Sequence, residues 1–362
     1  MNDHTADPKV PPTARSSRRR RDRVTRVLAR EAGRWFIEAC HSRQKTRREP
    51  QKEKTTMASR QSEAVTKPYQ DQARSQAGAG MKQIELSAGT IEYEDTGGDG
   101  PVLVLLHGLM MDASLWDGPI AGLSADHRCV APTLPLGAHR HATRADADLS
   151  LPGIARLVGE FLDRLDLQDV TLVGNDTGGA LVQLLMAQGA ERVGRGVLAS
   201  CDAFDNFPPG LTGRTLVLTG KLPPWMFGLF MQQMRIRALR RLPIAFGWLT
   251  KRGDAATARW MKPVTTQPEI RRDTVRVLRA AAADTHFLLE AAERLPGFHR
   301  PALMIWASGD RVMPPEHGRR LAGLLPQGRL IEVDDSYTLI PLDQPARLAQ
   351  VIREFTHASG KT

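Results

Sequence analysis

Residues 170–180 read Val-Thr-Leu-Val-Gly-Asn-Asp-Thr-Gly-Gly-Ala, an apolar run followed by an aspartate with a glycine two positions before it and another two after. Small residues at that spacing let a strand turn sharply into a helix, because a larger side chain at either place would collide across the turn. Gly174 and Gly178 take those places around Asp176, and Gly179 eases close packing of the helix that follows. A turn this tight is strained and holds its central side chain above the sheet, where the Asp176 carboxylate is presented as a nucleophile. A plain glycine-bounded turn with a capping aspartate is the simpler alternative.

A second loop, Leu105-Leu-His-Gly-Leu-Met-Met111, follows an earlier buried run. Its His-Gly pair permits a turn in which the Leu109 amide faces the elbow. The Thr177 amide then supplies the other donor of an oxyanion hole. His107 reads as structural. A third loop, Gly309-Asp-Arg-Val-Met-Pro314, also follows a strand-like run.

These features together make residues 81–358 resemble the α/β-hydrolase fold family: the His-Gly pair at 107–108, the GNDTG turn, the strand order and the 309–314 loop. The resemblance implies a mostly parallel central sheet flanked by helices, with an inserted helical cap. Asp310 would then be the acid that orients a catalytic histidine. An aspartate at the elbow is similar to the haloalkane dehalogenase and epoxide hydrolase branch, in which the carboxylate forms an ester with substrate and water opens it. No GxSxG motif occurs, which argues against a serine esterase.

The chain departs from that branch at three places. Thr177 stands where the branch usually carries tryptophan directly after the nucleophile, and Tyr69, Tyr93 and Tyr337 all lie outside the expected cap. The segment Val333–Pro345, where the family's histidine belongs, contains none. Counting back from Pro345 places Thr338, or with a slip of one residue Tyr337, at the base position. General-base assistance is worth roughly 10²–10⁴-fold, so an ester on Asp176 should hydrolyse slowly. Substitute histidines would be His139 or His141, in the loop after Arg128–Ala131, with His286 and His317 more remote. Asp334 and Asp335 are placed to pair with a cap arginine.

Elements of alternating type must position these loops. Lys82–Leu86 and Thr90–Asp95 read as an opening hairpin, and Val102–Leu106 as a strand buried on both faces. Similar runs occur at Arg128–Ala131, Val170–Val173, Arg195–Ala199, Ala302–Trp306 and Arg329–Val333, separated by helical patterns at Leu151–Leu165, Gly178–Gln188, Glu316–Leu325 and Pro345–Phe355. Residues 203–297 break the alternation with prolines and several helical stretches, longer than a connection requires, and read as the cap. The expected organisation is 1–80 extension, 81–202 core, 203–297 cap and 298–362 core.

The formal charge of +10 belongs to one end. Residues 1–80 hold 19 basic and 9 acidic side chains, which leaves 31 of each in the rest of the chain. The main domain is therefore not a generally cationic, nucleic-acid-coating fold. The extension reads as disordered or as an upstream addition before Met81, with a short basic amphipathic helix near Val24–Ile37. It lacks the apolar stretch of a secretory signal. Three cysteines without CxxC spacing argue against disulfides and zinc and suit a reducing cytoplasm. Gly97-Gly98-Asp99-Gly100 precedes a strand, so it is no phosphate loop, and neither metal nor organic cofactor is expected. A small-molecule substrate or ligand is the expected partner, with no membrane and no nucleic acid for the main domain. Three functions are consistent with these residues: a hydrolase using Asp176 on a small, mostly apolar substrate; an impaired family member that binds such a ligand under its cap; and an interaction protein acting through its basic extension.

Overall fold

Short runs of Val, Leu, Ile and Ala with no polar face can bury their backbone only by pairing on both sides. In the computed structural model, which describes residues 81–359, the strands are β1 (Lys82–Leu86), β2 (Gly89–Asp95), β3 (Val102–Leu106), β4 (Arg128–Pro132), β5 (Val170–Asp176), β6 (Val193–Cys201), β7 (Ala302–Ala307) and β8 (Gly328–Val333), of which β3, β5 and β7 are such central runs. They form one sheet in the order β1-β2-β4-β3-β5-β6-β7-β8. Only the β1–β2 and β2–β4 pairings are antiparallel. The other neighbours run parallel.

Helices α1 (Asp117–Leu123), α2 (Leu151–Arg164) and α3 (Thr177–Ala187) connect the early strands, and α10 (Pro315–Leu324), α11 (Ile340–Asp343) and α12 (Pro345–Ser359) surround the last ones. Between β6 and β7 the chain inserts α4 (Gly210–Thr219), α5 (Pro224–Met231), α6 (Arg237–Arg240), α7 (Asp254–Thr266), α8 (Pro268–Ala283) and α9 (Phe287–Arg294). The chain steps from β3 outward to β4, then crosses back to β5. Right-handed crossovers therefore put α1 on one face and α2 and α3 on the other. Accordingly α1 packs against α12, while α2 packs against α3.

That reversal brings the ends of β3 and β5 side by side, with Leu106 level with Gly174. Loops leaving the carboxyl edge at such a switch point are where ligands of open α/β sheets bind. Two contacts tie the insertion to this edge. The Trp260 indole donates to Ser114 Oγ at 3.0 Å, and the Leu339 amide donates to the Leu249 carbonyl at 2.8 Å.

Several boundaries differ from the sequence-based expectation. The β5 strand continues through the elbow to Asp176, because Asn175 and Asp176 still pair with Ala199 and Cys201 of β6. Helix α1 was not anticipated, since Gly118, Pro119 and Gly122 all weaken a helix. Its glycines are instead contact points: a Cβ at Gly118 would lie 2.8 Å from Pro345 Cβ, and one at Gly122 would lie 3.0 Å from Ala349 Cβ. The extension at 1–80, including Cys40, Tyr69 and the expected amphipathic helix, lies outside the described residues.

Candidate active site

Strand, turn and helix converge at Asp176. Its backbone sits at φ 56°, ψ −130°, a conformation that costs free energy for any residue but glycine and survives only when the surroundings hold it. The two elbow glycines are the reason it is reachable. A Cβ at Gly174 would lie 2.3 Å from the Gly178 carbonyl oxygen, and one at Gly178 would lie 2.2 Å from that of Leu106. Gly108 crosses close over the carboxylate, its place for a Cβ only 2.2 Å from Asp176 Oδ1.

Asp176 is 6% exposed. Its Oδ1 accepts from the Thr177 amide at 2.7 Å and lies 3.1 Å from the Thr177 hydroxyl, and the Leu109 amide also donates to this carboxyl. Both expected oxyanion donors therefore converge on the aspartate itself. Burial, opposed by these donors and reinforced by the charge of Asp310, pushes the Asp176 carboxyl up to about 6.

A third carboxyl, missed in the sequence, lies behind it. Asp202, directly after β6, is fully buried and has its Oδ2 2.9 Å from the Thr177 hydroxyl. Thr177 owns one hydroxyl proton but faces two carboxyls. Burial and the negative charge of Asp176 hold Asp202 well above the usual carboxylate range. The Thr177 hydroxyl thus bridges the two carboxyls, and Asp202 is the one of the pair more strongly disfavoured as an anion. The only sequence signal was position, one residue beyond a buried strand at the sheet's carboxyl edge.

The loop after β7 places Asp310 as expected. Its Oδ1 accepts from the amides of Val312 at 2.9 Å and Met313 at 2.8 Å and from the Thr338 hydroxyl at 2.8 Å. Its Oδ2 is buried with no hydrogen-bond partner among the described residues. Burial raises this carboxyl as well. Thr338 is thus the residue of the third loop that meets the acid. Tyr337 is not, which corrects the alternative register: its ring lies 4.9 Å from Lys251 Nζ and from Arg311 Cζ, and its amide donates to Asp343. Asn175 couples elbow and third loop by donating to the carbonyls of Ala199 at 2.7 Å and Thr338 at 2.8 Å.

None of the described histidines hydrogen-bonds Asp310 or Asp176. His107 donates from Nδ1 to the Gly108 carbonyl at 2.9 Å and accepts at Nε2 from the Leu134 amide at 2.9 Å, while burial lowers it to about 4. It is a neutral brace for the oxyanion loop. His139 lies 3.7 Å from Asp273 on α8, and His141 lies 3.0 Å from Glu92. His317 packs edge-on against Phe204, and His286 precedes α9. Asp335 pairs with Lys251 at 3.0 Å and with Arg252 in the insertion, whereas Asp334 accepts from Ser308. Asp343 gathers the amides of Lys251, Arg252 and Tyr337, each at 3.0 Å, which fixes the third loop against the end of the insertion before α7.

Comparison with known proteins bears on the fold. A family described as alpha/beta hydrolase fold matches residues 101–345. Haloalkane dehalogenase 2 of Mycobacterium tuberculosis strain H37Rv is 27% identical over 275 residues, 75% of this chain and 93% of that protein. Among solved structures, an ancestral haloalkane dehalogenase superposes with a TM-score of 0.61 at 23% identity, over 76% of this chain and all of that one. A carboxylesterase from Bacillus subtilis superposes with a TM-score of 0.63 at 18% identity, over 82% of this chain and 98% of that one. At those identities the two structures share the fold alone.

Proposed function

The chain belongs to the alpha/beta hydrolase fold family, and from that premise we propose that it is a hydrolase whose nucleophile is Asp176. The cores are 81–202 and 298–362, residues 203–297 are the cap, and 1–80 form a separate basic extension. Its substrate is small and mostly apolar, a reading supported by buried Leu109 beside the Asp176 carboxyl and buried Val312 and Met313 beside that of Asp310. The observation that carries this reading is the strained Asp176 backbone with the amides of Leu109 and Thr177 on its carboxylate.

Chemically, one oxygen of Asp176 is held by these donors and the other attacks a carbon bearing a leaving group. A carbon–oxygen bond forms, and the leaving group, a halide in the named relatives' chemistry, departs with its bonding electrons. Water then adds to the ester carbonyl, whose oxygen develops negative charge facing the same two amides. No imidazole takes the proton of that water. The acceptor the site offers is Asp310, whose Oδ2 is unpartnered among the described residues, so the second step is the slow one.

The Thr338–Asp310 contact favours a second reading, a family member that binds a small apolar ligand under the cap without turning it over. Incubation with 1-bromobutane, styrene oxide and p-nitrophenyl butyrate, followed by product assay and peptide mass spectrometry, separates the two. Product, or a mass increase on the Asp176 peptide that Asp176→Asn abolishes, supports the nucleophile. Saturable binding with neither product nor adduct supports the second reading and sinks the first.

A further inference from the structure

Seven of the eight large hydrophobic side chains that are exposed among the described residues fall between Leu211 and Ile244, in the inserted segment. On α5, Trp225 and Leu229 are 66% and 68% exposed and stand one turn apart. On α4, Leu211 and Leu218 are two turns apart, with exposed Arg214 between them on the same side. Both helices pack against α8, and each keeps an exposed apolar side.

The same stretch carries one sign of charge. Residues 206–253 hold eight Lys and Arg and no Asp or Glu. Arg237 and Arg240 are matched by Asp254, and Lys251 and Arg252 by Asp335. Arg214, Lys221, Arg235 and Arg241 are exposed and form no ion pair among the described residues.

Exposed apolar side chains interspersed along the segment with cations that form no ion pair among the described residues restrict the occupant. A second copy would set this positive face against itself. Residues 1–80, with 19 basic and 9 acidic side chains, carry the same sign. Protein interfaces seat their hydrophobic anchors in pockets. Projecting Trp and Leu tips interleaved with Arg and Lys are instead the pattern of interfacial helices, whose apolar side enters the acyl boundary while the cations stay among headgroup phosphates.

We infer that the outer face of α4 and α5 docks peripherally on an anionic phospholipid surface. No helix among the described residues is long and apolar enough to cross a membrane, so the contact is superficial, and the expectation of no membrane partner is narrowed to the absence of a span. The inference stands on this surface alone and is independent of Asp176.

Vesicle flotation of the full chain tests it, with phosphatidylcholine alone or mixed with phosphatidylglycerol. Binding should require the anionic lipid, and Trp225→Ser/Leu229→Ser should weaken it about tenfold. Arg214→Glu/Lys221→Glu should cause a loss of similar size that vanishes in high salt. Brominated acyl chains should quench tryptophan fluorescence of the unmodified chain, and Trp225→Phe should remove that quenching without touching the fold. The inference is overturned if the full chain ignores anionic vesicles. It is equally overturned if both double variants bind unchanged, which would assign binding to the extension, or if light scattering reveals a dimer that Trp225→Ser/Leu229→Ser dissolves.

Discussion

The hydroxyl of Thr338 donates to Oδ1 of Asp310 at 2.8 Å, so the carboxyl proposed as the acid is bonded to a threonine of the third loop and to no described imidazole. Thr338 can hold a carboxylate in place, but its neutral hydroxyl is a far weaker base than imidazole and cannot take a proton from water at neutral pH. In the proposed mechanism the first step is thus fully equipped and the second lacks its base.

Thr338→His should restore that step. With an imidazole on Asp310, release of the Asp176 ester is expected to accelerate by roughly 10²–10⁴-fold, read as product turnover and loss of accumulated adduct. Thr338 is fully buried, so a stability loss of about 1–3 kcal/mol from overpacking should accompany the gain. An unchanged adduct lifetime in a folded variant would refute the assignment of Thr338 to the base position.

Adduct formation should depend on pH through Asp176. Its carboxyl is raised to about 6, chiefly by burial, with Asp310 adding to the shift. The reactive form is the carboxylate. Single-turnover alkylation should thus rise with pH below about 6 and level off above it. A rate that falls over the same range would mean that the protonated acid is the active species.

Asp202→Asn should relieve a pH-dependent penalty. Asp202 is raised well above its ordinary 3.8 by burial and by Asp176, so the folded chain keeps a proton that the unfolded chain has released. Where the folded state binds more protons, stability falls as pH rises. Asparagine keeps a donor for Thr177 and does not titrate. The melting temperature of the variant relative to the unmodified protein should therefore climb between pH 4 and pH 8, and a flat difference would show Asp202 to be ionised.

Gly178→Ala should damage fold and site together. The added methyl would sit 2.2 Å from the Leu106 carbonyl oxygen, a backbone atom that cannot swing aside. A loss of at least about 2 kcal/mol in denaturant unfolding is expected, with slower adduct formation. Gly297→Ala, where a Cβ meets nothing within 4 Å, is the matched control.

Much of this was legible residue by residue. The β3 and β5 strands announced themselves because both their faces are buried, and the Gly174–Gly178 spacing was legible because a steric requirement is local. An arginine partner for Asp334 or Asp335 was suggested by charge, but that Asp335 takes Arg252 and Lys251 while Asp334 takes Ser308 was decided by the fold. Asp202 was not legible: its partner Thr177 is 25 residues away, and only the β5–β6 pairing makes them neighbours. Helix α1 was hidden because its glycines are unfavourable locally and useful only against α12.

The sequence by itself determined the sheet, the elbow, the backbone donors of Leu109 and Thr177 and the absence of a histidine between Val333 and Pro345, since each depends on residue type within a few positions. Tertiary structure decided whether Thr338 or Tyr337 meets Asp310, which further carboxyl stands behind Thr177, and that the inserted segment leaves Arg214, Lys221, Trp225 and Leu229 exposed. Those outcomes rest on distance and burial between segments far apart in the chain, and local pattern carries no information about either.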